Sequence, residues 1–265
     1  MGDAMTDPKT IAIERRDTSL VITLKRPERR NAVSLEMMSE LIAAVDAAED
    51  DAAVRAIIIT GGNEYFSAGA DLTEAVKVKT ATDGKRYFNS WHRLNERLET
   101  SSKPVIAAIE GFCMTGGLEL ALACDLRVAG EGASFAITSA RIGTVAGAGG
   151  TQRLPRVVGL ANALDMLFAA EPIDAVEARR IGLINRLTLK GGALEKALEM
   201  GALYATRGPL AIAFVKRVVH RGMQMDLASS IELETYLVST VYSTQDKQEG
   251  ITAFLEKRKP NFAGQ

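Results

Sequence analysis

Short apolar runs recur along the chain and are separated by longer segments with helical periodicity. Three of these runs, residues 56–60, 105–109 and 126–129, are rich in Ile, Val, Leu and Ala. Continuous apolar runs of this length are typical of strands that are buried on both faces of a parallel sheet. Because helical segments separate them, the pattern predicts an α/β fold with right-handed βαβ connections.

Two segments near the start predict a hairpin that enters this sheet. Residues 11–14 and 20–24 are apolar or alternating, and four polar residues, 16–19, lie between them. A helix is expected next, because Ser34 can cap it and Glu36 falls in its first turn. One apolar face of that helix, which we expect to join the core, is formed by Leu35, Met38, Leu41, Ile42 and Val45.

Helical periodicity dominates from residue 174 onward. Helices are predicted over residues 175–181, 194–206, 209–219 and roughly 227–242. The pattern divides the chain into a flexible N-terminus (1–10), an α/β core (11–200) and a C-terminal helical region (201–265). Because this last region is apolar and has little sheet to cover, we expect it to be buried against another subunit.

Composition and charge exclude several classes of function. The chain has 265 residues, of which 47% are hydrophobic, and a net charge of −1, so it can bury a sizeable core. It has no basic block that would bind nucleic acid and no apolar run of about 18 residues that would span a membrane. The two cysteines, Cys113 and Cys124, predict buried thiols in a reducing compartment, for which we expect the cytoplasm. Two His and two Cys offer no metal-ligand cluster.

Two glycine-rich turns follow predicted strands, and the second one carries a carboxylate. The strand at residues 105–109 leads to Gly116 and Gly117, after which a helix is expected to run to residue 123. The first N–H groups of a helix have no partner within it, so they point outward as hydrogen-bond donors. Glu119 lies in this first turn and can exchange a proton with a substrate whose oxygen those donors hold. The same pattern also fits an ordinary first-turn glutamate that the helix dipole favours.

Six motifs follow one another in an order and spacing that resemble one family. The three longest are ITGGNEYFSAGADL, KPVIAAIEGFCMTGGLELALACD and GTVAGAGGTQRLPRVVG, and the other three lie near residues 26–32, 178–183 and 249–259. Together they resemble the enoyl-CoA hydratase/isomerase (crotonase) superfamily over residues 11–262. The resemblance implies a crotonase-like repeated ββα superhelix with a C-terminal helical trimerisation region, assembled as a homotrimer or a dimer of trimers. It also implies an acyl-CoA substrate and no cofactor beyond the CoA of that substrate.

The resemblance further implies a site for the thioester. The backbone N–H groups of Ala68 and Gly116 are expected to form an oxyanion hole for the carbonyl oxygen, with Glu119 as the acid/base. Lys257 is expected to reach the CoA of a neighbouring subunit. The full set of residues expected to contact the substrate or its CoA is Ala70, Asp71, Leu72, Gly147, Arg30 and Lys257.

One departure from the family pattern bears on the reaction. Family members that hydrate a double bond carry a second glutamate twenty positions after the first, and this chain has Ser139 there. A serine hydroxyl is a poor acid and a poor base near neutral pH. Three activities therefore remain open, namely hydration of a 2-enoyl-CoA, isomerisation by Glu119 alone, and acyl-CoA binding with little turnover. A carboxylate from elsewhere, such as Glu110 or Glu131, could also fill the position of the missing glutamate.

Overall fold

The structure is a computed structural model that describes residues 8–265. Most of the expected flexible N-terminus, residues 1–10, therefore lies outside the described residues. Thr10 at its end is buried, and its N–H donates to Oε2 of Glu40 at 2.9 Å. Residue 10 is thus part of the packed fold.

A six-stranded sheet of order β1-β2-β3-β4-β6-β9 forms the centre of the molecule. The strands are, in chain order, β1 Ile11–Arg16, β2 Ser19–Leu24, β3 Ala56–Thr60, β4 Val105–Ile109, β5 Phe112–Met114, β6 Leu126–Gly130, β7 Ser134–Ala136, β8 Ile173–Asp174 and β9 Arg186–Thr188. The predicted hairpin is confirmed, since β1 and β2 pair antiparallel, whereas every other neighbouring pair in this sheet is parallel. The predicted buried strands are also confirmed, because every residue of β3 and β4 is buried.

A second, three-stranded sheet of order β5-β7-β8 lies beyond the end of β4. Only two residues separate β4 from β5, and the second of them, Gly111, has a φ of 57°. A Cβ at Gly111 would lie 1.9 Å from the carbonyl oxygen of Glu64, so the chain crosses the loop after β3 in close contact. This crossing brings the two predicted glycine turns, one after β3 and one after β5, next to each other.

Helices cover both faces of the main sheet. They are α1 Leu35–Asp50, α2 Leu72–Ala75, α3 Ala81–Thr100, α4 Gly116–Ala123, α5 Gly150–Val158, α6 Leu160–Ala169, α7 Ala175–Arg180, α8 Ala193–Ala205, α9 Pro209–Gly222, α10 Leu227–Tyr242 and α11 Gln245–Leu255. The predicted cap of α1 is confirmed, because Oγ of Ser34 accepts the N–H of Met37 at 3.2 Å. The main core contains α1, α3 and α4, while Ala193, Ala197 and Met200 of α8 pack on the opposite face of the sheet.

The C-terminal helices leave a large apolar surface on this chain. Helix α10 has the predicted bounds, and none of its residues is buried. Leu227 and Tyr236 are 76% and 66% exposed, and Phe254 on the unpredicted helix α11 is 83% exposed. Across residues 8–265, no helix has the length and apolar character needed to cross a membrane.

Candidate active site

A cavity of about 840 Å³ opens where β3 ends and α4 begins. Arg30 and Lys257 are the two predicted site residues that do not line it. The other eight do, namely Ala68, Ala70, Asp71, Leu72, Gly116, Glu119, Ser139 and Gly147. The fold therefore gathers most of the predicted site from four separate segments of the chain.

Ala68 does not supply the free N–H that the sequence predicts. Its N–H donates to the carbonyl oxygen of Arg30 at 2.9 Å. A donor already satisfied by the protein would have to break that bond to hold a substrate oxygen. The assignment of Ala68 to an oxyanion hole is therefore wrong.

Ala70, two residues further along, has the geometry that was expected of Ala68. The chain here is extended beside Val33, whose N–H donates to the Gly69 carbonyl at 2.7 Å and whose carbonyl accepts the Asp71 N–H at 3.0 Å. Because hydrogen-bonding groups alternate in direction along an extended chain, the N–H of Ala70 points away from Val33. Within residues 8–265 it has no hydrogen-bond acceptor.

Gly116 places a second free donor beside Ala70. It is the first residue of α4, so its N–H has no acceptor within the helix, and none elsewhere in the described chain. A Cβ on Gly116 would lie 2.9 Å from the nitrogen of Ala70 and 2.8 Å from the indole ring of Trp91. Only glycine fits between these groups, and the two unpaired N–H groups can bind one oxygen that develops negative charge.

The turn before Gly116 is held in an unusual conformation. Thr115 has φ 45° and ψ −111°, a region that costs a non-glycine residue about 1–3 kcal/mol. Its Oγ1 accepts the N–H of Thr138 at 3.1 Å and lies 2.9 Å from the Thr138 hydroxyl, while its N–H donates to Ala136 at 2.7 Å. These bonds tie the donor turn to the segment that carries Ser139.

Glu119 is the acid/base candidate on this cavity wall. Its side chain is buried, with the residue only 3% exposed, and Oε1 accepts the N–H of Gly150 at 2.8 Å. Burial raises the pKa of Glu119 to about 7, although hydrogen bonds from the backbone of Gly150 and Ala148 and the charge of Arg153 act in the opposite direction. At neutral pH both the protonated and the ionised form of this carboxyl group are therefore populated.

Ser139 faces the same cavity from a short 3-10 helix, Ser139–Ile142. Among residues 8–265, no carboxylate from elsewhere takes the place of a second glutamate. Glu110 is buried and accepts the N–H of Ala193 on the far side of the sheet, and Glu131 is exposed in the turn after β6. Among the described residues that line the cavity, the only other carboxylate is Asp71, which is bound by Arg26.

The predicted CoA contacts are only partly gathered at the cavity mouth. Arg29 lines the cavity and Arg30 does not; Arg30 has a left-handed conformation with φ 50° at the end of a 3-10 turn. Asp71 caps α2 by accepting the N–H of Thr73 at 2.9 Å, and Leu72 lies exposed at the rim. Lys257 follows α11 and does not line the cavity of its own chain.

Helix α3 supplies an aromatic wall of the cavity. Tyr87, Phe88 and Trp91 all line the cavity. A Cβ on Gly147 would lie 2.3 Å from the ring of Phe88, so this glycine lets α3 approach the turn before α5.

Nowhere in the described chain is a group of three or more His, Cys, Asp or Glu side chains arranged to hold a metal ion.

Comparison with known proteins gives the same family as the sequence motifs. A family model described as enoyl-CoA hydratase/isomerase matches residues 14–265. The short-chain-enoyl-CoA hydratase of Clostridium acetobutylicum is 36% identical over 250 residues, which cover 94% of this chain and 95% of that protein. The crotonyl-CoA hydratase of Syntrophomonas wolfei is 37% identical over 255 residues, which cover 96% and 98% of the two chains.

A solved structure shows the same agreement in three dimensions. The enoyl-CoA hydratase from Bacillus anthracis superposes with a TM-score of 0.92 at 34% identity, covering 97% of this chain and 100% of that one. The resemblance and the crotonase fold implied by the motifs are therefore confirmed. A match of this extent, in sequence and in fold, shows that the chain is an enzyme of the enoyl-CoA hydratase/isomerase family.

Proposed function

We propose that this enzyme adds water to the C2=C3 double bond of a 2-enoyl-CoA and releases a 3-hydroxyacyl-CoA. The observation that carries the proposal is the pair of free N–H groups on Ala70 and Gly116 with Glu119 on the same cavity wall. The two donors bind the thioester oxygen and stabilise the charge that develops there, an effect worth several kcal/mol of the barrier. The names of the relatives that hydrate enoyl-CoA substrates support this reaction.

One carboxyl group serves as base and then as acid in this scheme. Ionised Glu119 takes a proton from water while the water oxygen bonds to C3 and the double-bond electrons move to the thioester oxygen. The enolate then collapses and takes the same proton from Glu119 at C2, so that one water has been added. Ser139 forms a hydrogen bond with the water, as donor or as acceptor. It does not take the proton of the water, which goes to Glu119.

Isomerisation is the second candidate, and it is favoured because Glu119 is the only carboxylate without an ion-pair partner among the described residues that line the cavity. Glu119 would remove a proton from C2 of a 3-enoyl-CoA and return it to C4, while the same two N–H groups stabilise the dienolate. This reaction needs no second acid/base group, so Ser139 does not impede it.

Absorbance of the conjugated thioester distinguishes these reactions. We expect crotonyl-CoA mixed with the protein to lose its conjugated absorbance and to give a product heavier by one water. A 3-enoyl-CoA that gains absorbance, with crotonyl-CoA unchanged, would replace hydration by isomerisation. Binding of both thioesters without turnover would refute both reactions and leave an acyl-CoA binding protein. The Glu119→Gln variant is the control, because it keeps the N–H donors and removes the acid/base.

Assembly into a homotrimer or a dimer of trimers is part of the same proposal. The exposed apolar faces of α10 and α11 support it, since a subunit interface would cover them. A monomeric mass by light scattering at micromolar concentration would refute it.

Lys257 is proposed to contact the CoA bound by a neighbouring subunit. The Lys257→Ala variant should therefore raise KM and leave kcat unchanged, and an unchanged KM would contradict that contact.

The buried thiols Cys113 and Cys124 support a reducing location such as the cytoplasm. Fractionation of the source cells that placed the protein elsewhere would overturn this proposal.

A further inference from the structure

Asn95 is a polar residue on the buried face of α3. It is 0% exposed and lies among the core residues Trp91, Leu94 and Leu98. Its Nδ2 donates to the carbonyl oxygen of Ala148 at 2.7 Å, but its Oδ1 has no partner in the described chain. A buried amide with one unmet polar atom lowers stability, so an apolar residue of the same size would be the better choice for packing alone.

The one hydrogen bond that Asn95 makes leads to the acid/base. Ala148 belongs to the turn that opens α5; in that turn the N–H of Gly150 donates to Oε1 of Glu119 at 2.8 Å, and the N–H of Ala148 also lowers the pKa of that carboxyl group. The turn packs closely on Glu119, because a Cβ on Gly150 would lie 3.0 Å from Glu119 Cγ. Asn95 thus fixes the carbonyl of the same residue whose N–H faces Glu119.

We propose that Asn95 is a positioning residue, which holds the turn at Ala148 so that the N–H groups of Ala148 and Gly150 stay directed at the Glu119 carboxylate. It touches no substrate and acts through the turn. The inference rests on the proposed function only for its kinetic consequence, since the contact with Glu119 exists whatever the reaction is. It also explains why a partly unsatisfied amide occupies an otherwise apolar face.

The charge of Arg153, which acts on Glu119, is held mainly by a carboxylate on α3. Arg153 from α5 faces Glu119, and its guanidinium is bound at 2.5 and 2.9 Å by the carboxylate of Glu99 on α3. Tyr87 on α3 is a titratable side chain that lines the same cavity as Glu119; its pKa is raised, chiefly by burial, so it is uncharged near pH 7. Arg153 also donates to the Ala148 carbonyl, but at the longer distance of 3.4 Å. Loss of Asn95 should therefore loosen the turn and leave the Arg153–Glu99 ion pair in place.

The test replaces Asn95 by leucine and follows the titration of Glu119 directly. Carbon-13 NMR of glutamate-labelled protein reports each carboxyl group, and the Glu119 signal is assigned as the one missing in Glu119→Gln. We expect the midpoint, about 7 with Asn95 in place, to rise by about one pH unit, because the loosened turn directs its N–H groups less well at the ionised carboxylate. The thermal midpoint of unfolding should stay the same or rise, because the buried amide is gone.

Kinetics and a matched control complete the test. If the wild type turns over the thioester, the acid limb of its kcat profile should move by the same amount, which lowers kcat about fivefold near pH 7 with KM unchanged. Asn162→Leu removes a similar amide-to-carbonyl bond, 2.8 Å from Asn162 on α6 to Val158 at the end of α5, and should leave the Glu119 titration unchanged. Asn95→Met repeats the test with a more adaptable side chain if the leucine variant does not fold.

Two results would overturn the positioning role. One is an unchanged Glu119 midpoint in a folded Asn95 variant. The other is an equal shift in Asn162→Leu, which would mean a general loosening of the protein. A shifted midpoint in an enzyme that hydrates no thioester would support the role of Asn95 and refute the proposed reaction instead.

Discussion

Replacing Glu119 by glutamine should change how the stability of the protein depends on pH. The raised pKa means that the folded protein keeps a proton that the unfolded chain has released, in the window between the ordinary value of 4.5 and about 7. In that window the folded state binds more protons than the unfolded state, so the free energy of unfolding falls as pH rises. Glutamine at this position does not ionise, and the fall should disappear.

The size of the effect follows from the two pKa values. Moving the pKa from 4.5 to about 7 corresponds to about 3 kcal/mol at about 1.4 kcal/mol for each pH unit. Between about pH 5 and pH 8, where most of this difference develops, the wild type should lose about 2.5 kcal/mol of unfolding free energy relative to Glu119→Gln. Because Glu119 is only 3% exposed, solvent screening does not reduce this figure substantially.

Urea unfolding of the wild type and of Glu119→Gln, at one protein concentration and at about pH 5 and about pH 8, measures the effect. Taking the difference between variant and wild type at each pH removes the contributions of all other titrating groups. Glu131→Gln is a matched control, because it removes a carboxylate of the same type from an exposed turn and should follow the wild type. A variant-minus-wild-type difference that is the same at both pH values would refute the argument that burial controls the ionisation of Glu119.

Three further changes test other parts of the site. Ser139→Glu should raise the rate of crotonyl-CoA hydration at least about tenfold by supplying a second acid/base; an unchanged initial rate would mean that position 139 does not face the reacting carbons. Gly116→Ala should lower kcat about 100-fold, because a Cβ 2.9 Å from the Ala70 nitrogen occupies the oxyanion hole; full activity in a folded variant would exclude these donors. Arg26→Ala should lower the unfolding free energy by about 3 kcal/mol, since it removes the partner 2.8 Å from the buried Asp71 carboxylate; a loss below about 1 kcal/mol would show that water replaces the guanidinium.

The sequence pattern predicted the elements whose burial is periodic and continuous. The buried strands β3 and β4 and the bounds of α10 are examples, because an apolar run or a helical stripe needs only local residues to be recognised. The sheet of β5, β7 and β8 was not predicted, since strands of two or three residues carry too few positions to show alternation. Helix α11 was also missed, because its polar and apolar positions do not form a clear stripe.

The sequence predicted most of the residues that form the site, but not which of their backbone N–H groups are already hydrogen-bonded within the protein. The glycine turns and Glu119 were recognisable from sequence, yet the choice between Ala68 and Ala70 depends on which backbone N–H is already bonded. That is decided by the neighbouring segment at Arg30 and Val33, about 37 residues away along the chain. The role of Asn95 could not be predicted for the same reason, because its hydrogen-bond partner Ala148 is 53 residues away along the chain.

The raised pKa of Glu119 and the serine at position 139 have complementary consequences. A carboxyl group with an ordinary pKa near 4.5 would be almost fully ionised at neutral pH, so it would take a proton from water but return one to C2 only weakly. With a pKa of about 7, the same group is matched to both transfers, which is the condition under which one residue can replace two. In the proposed hydration, burial of Glu119 would therefore supply part of what the missing second carboxylate would provide. On this reasoning Ser139→Glu should also lower the dependence of the rate on the ionisation of Glu119, and the pH profile of kcat should broaden on its acid side.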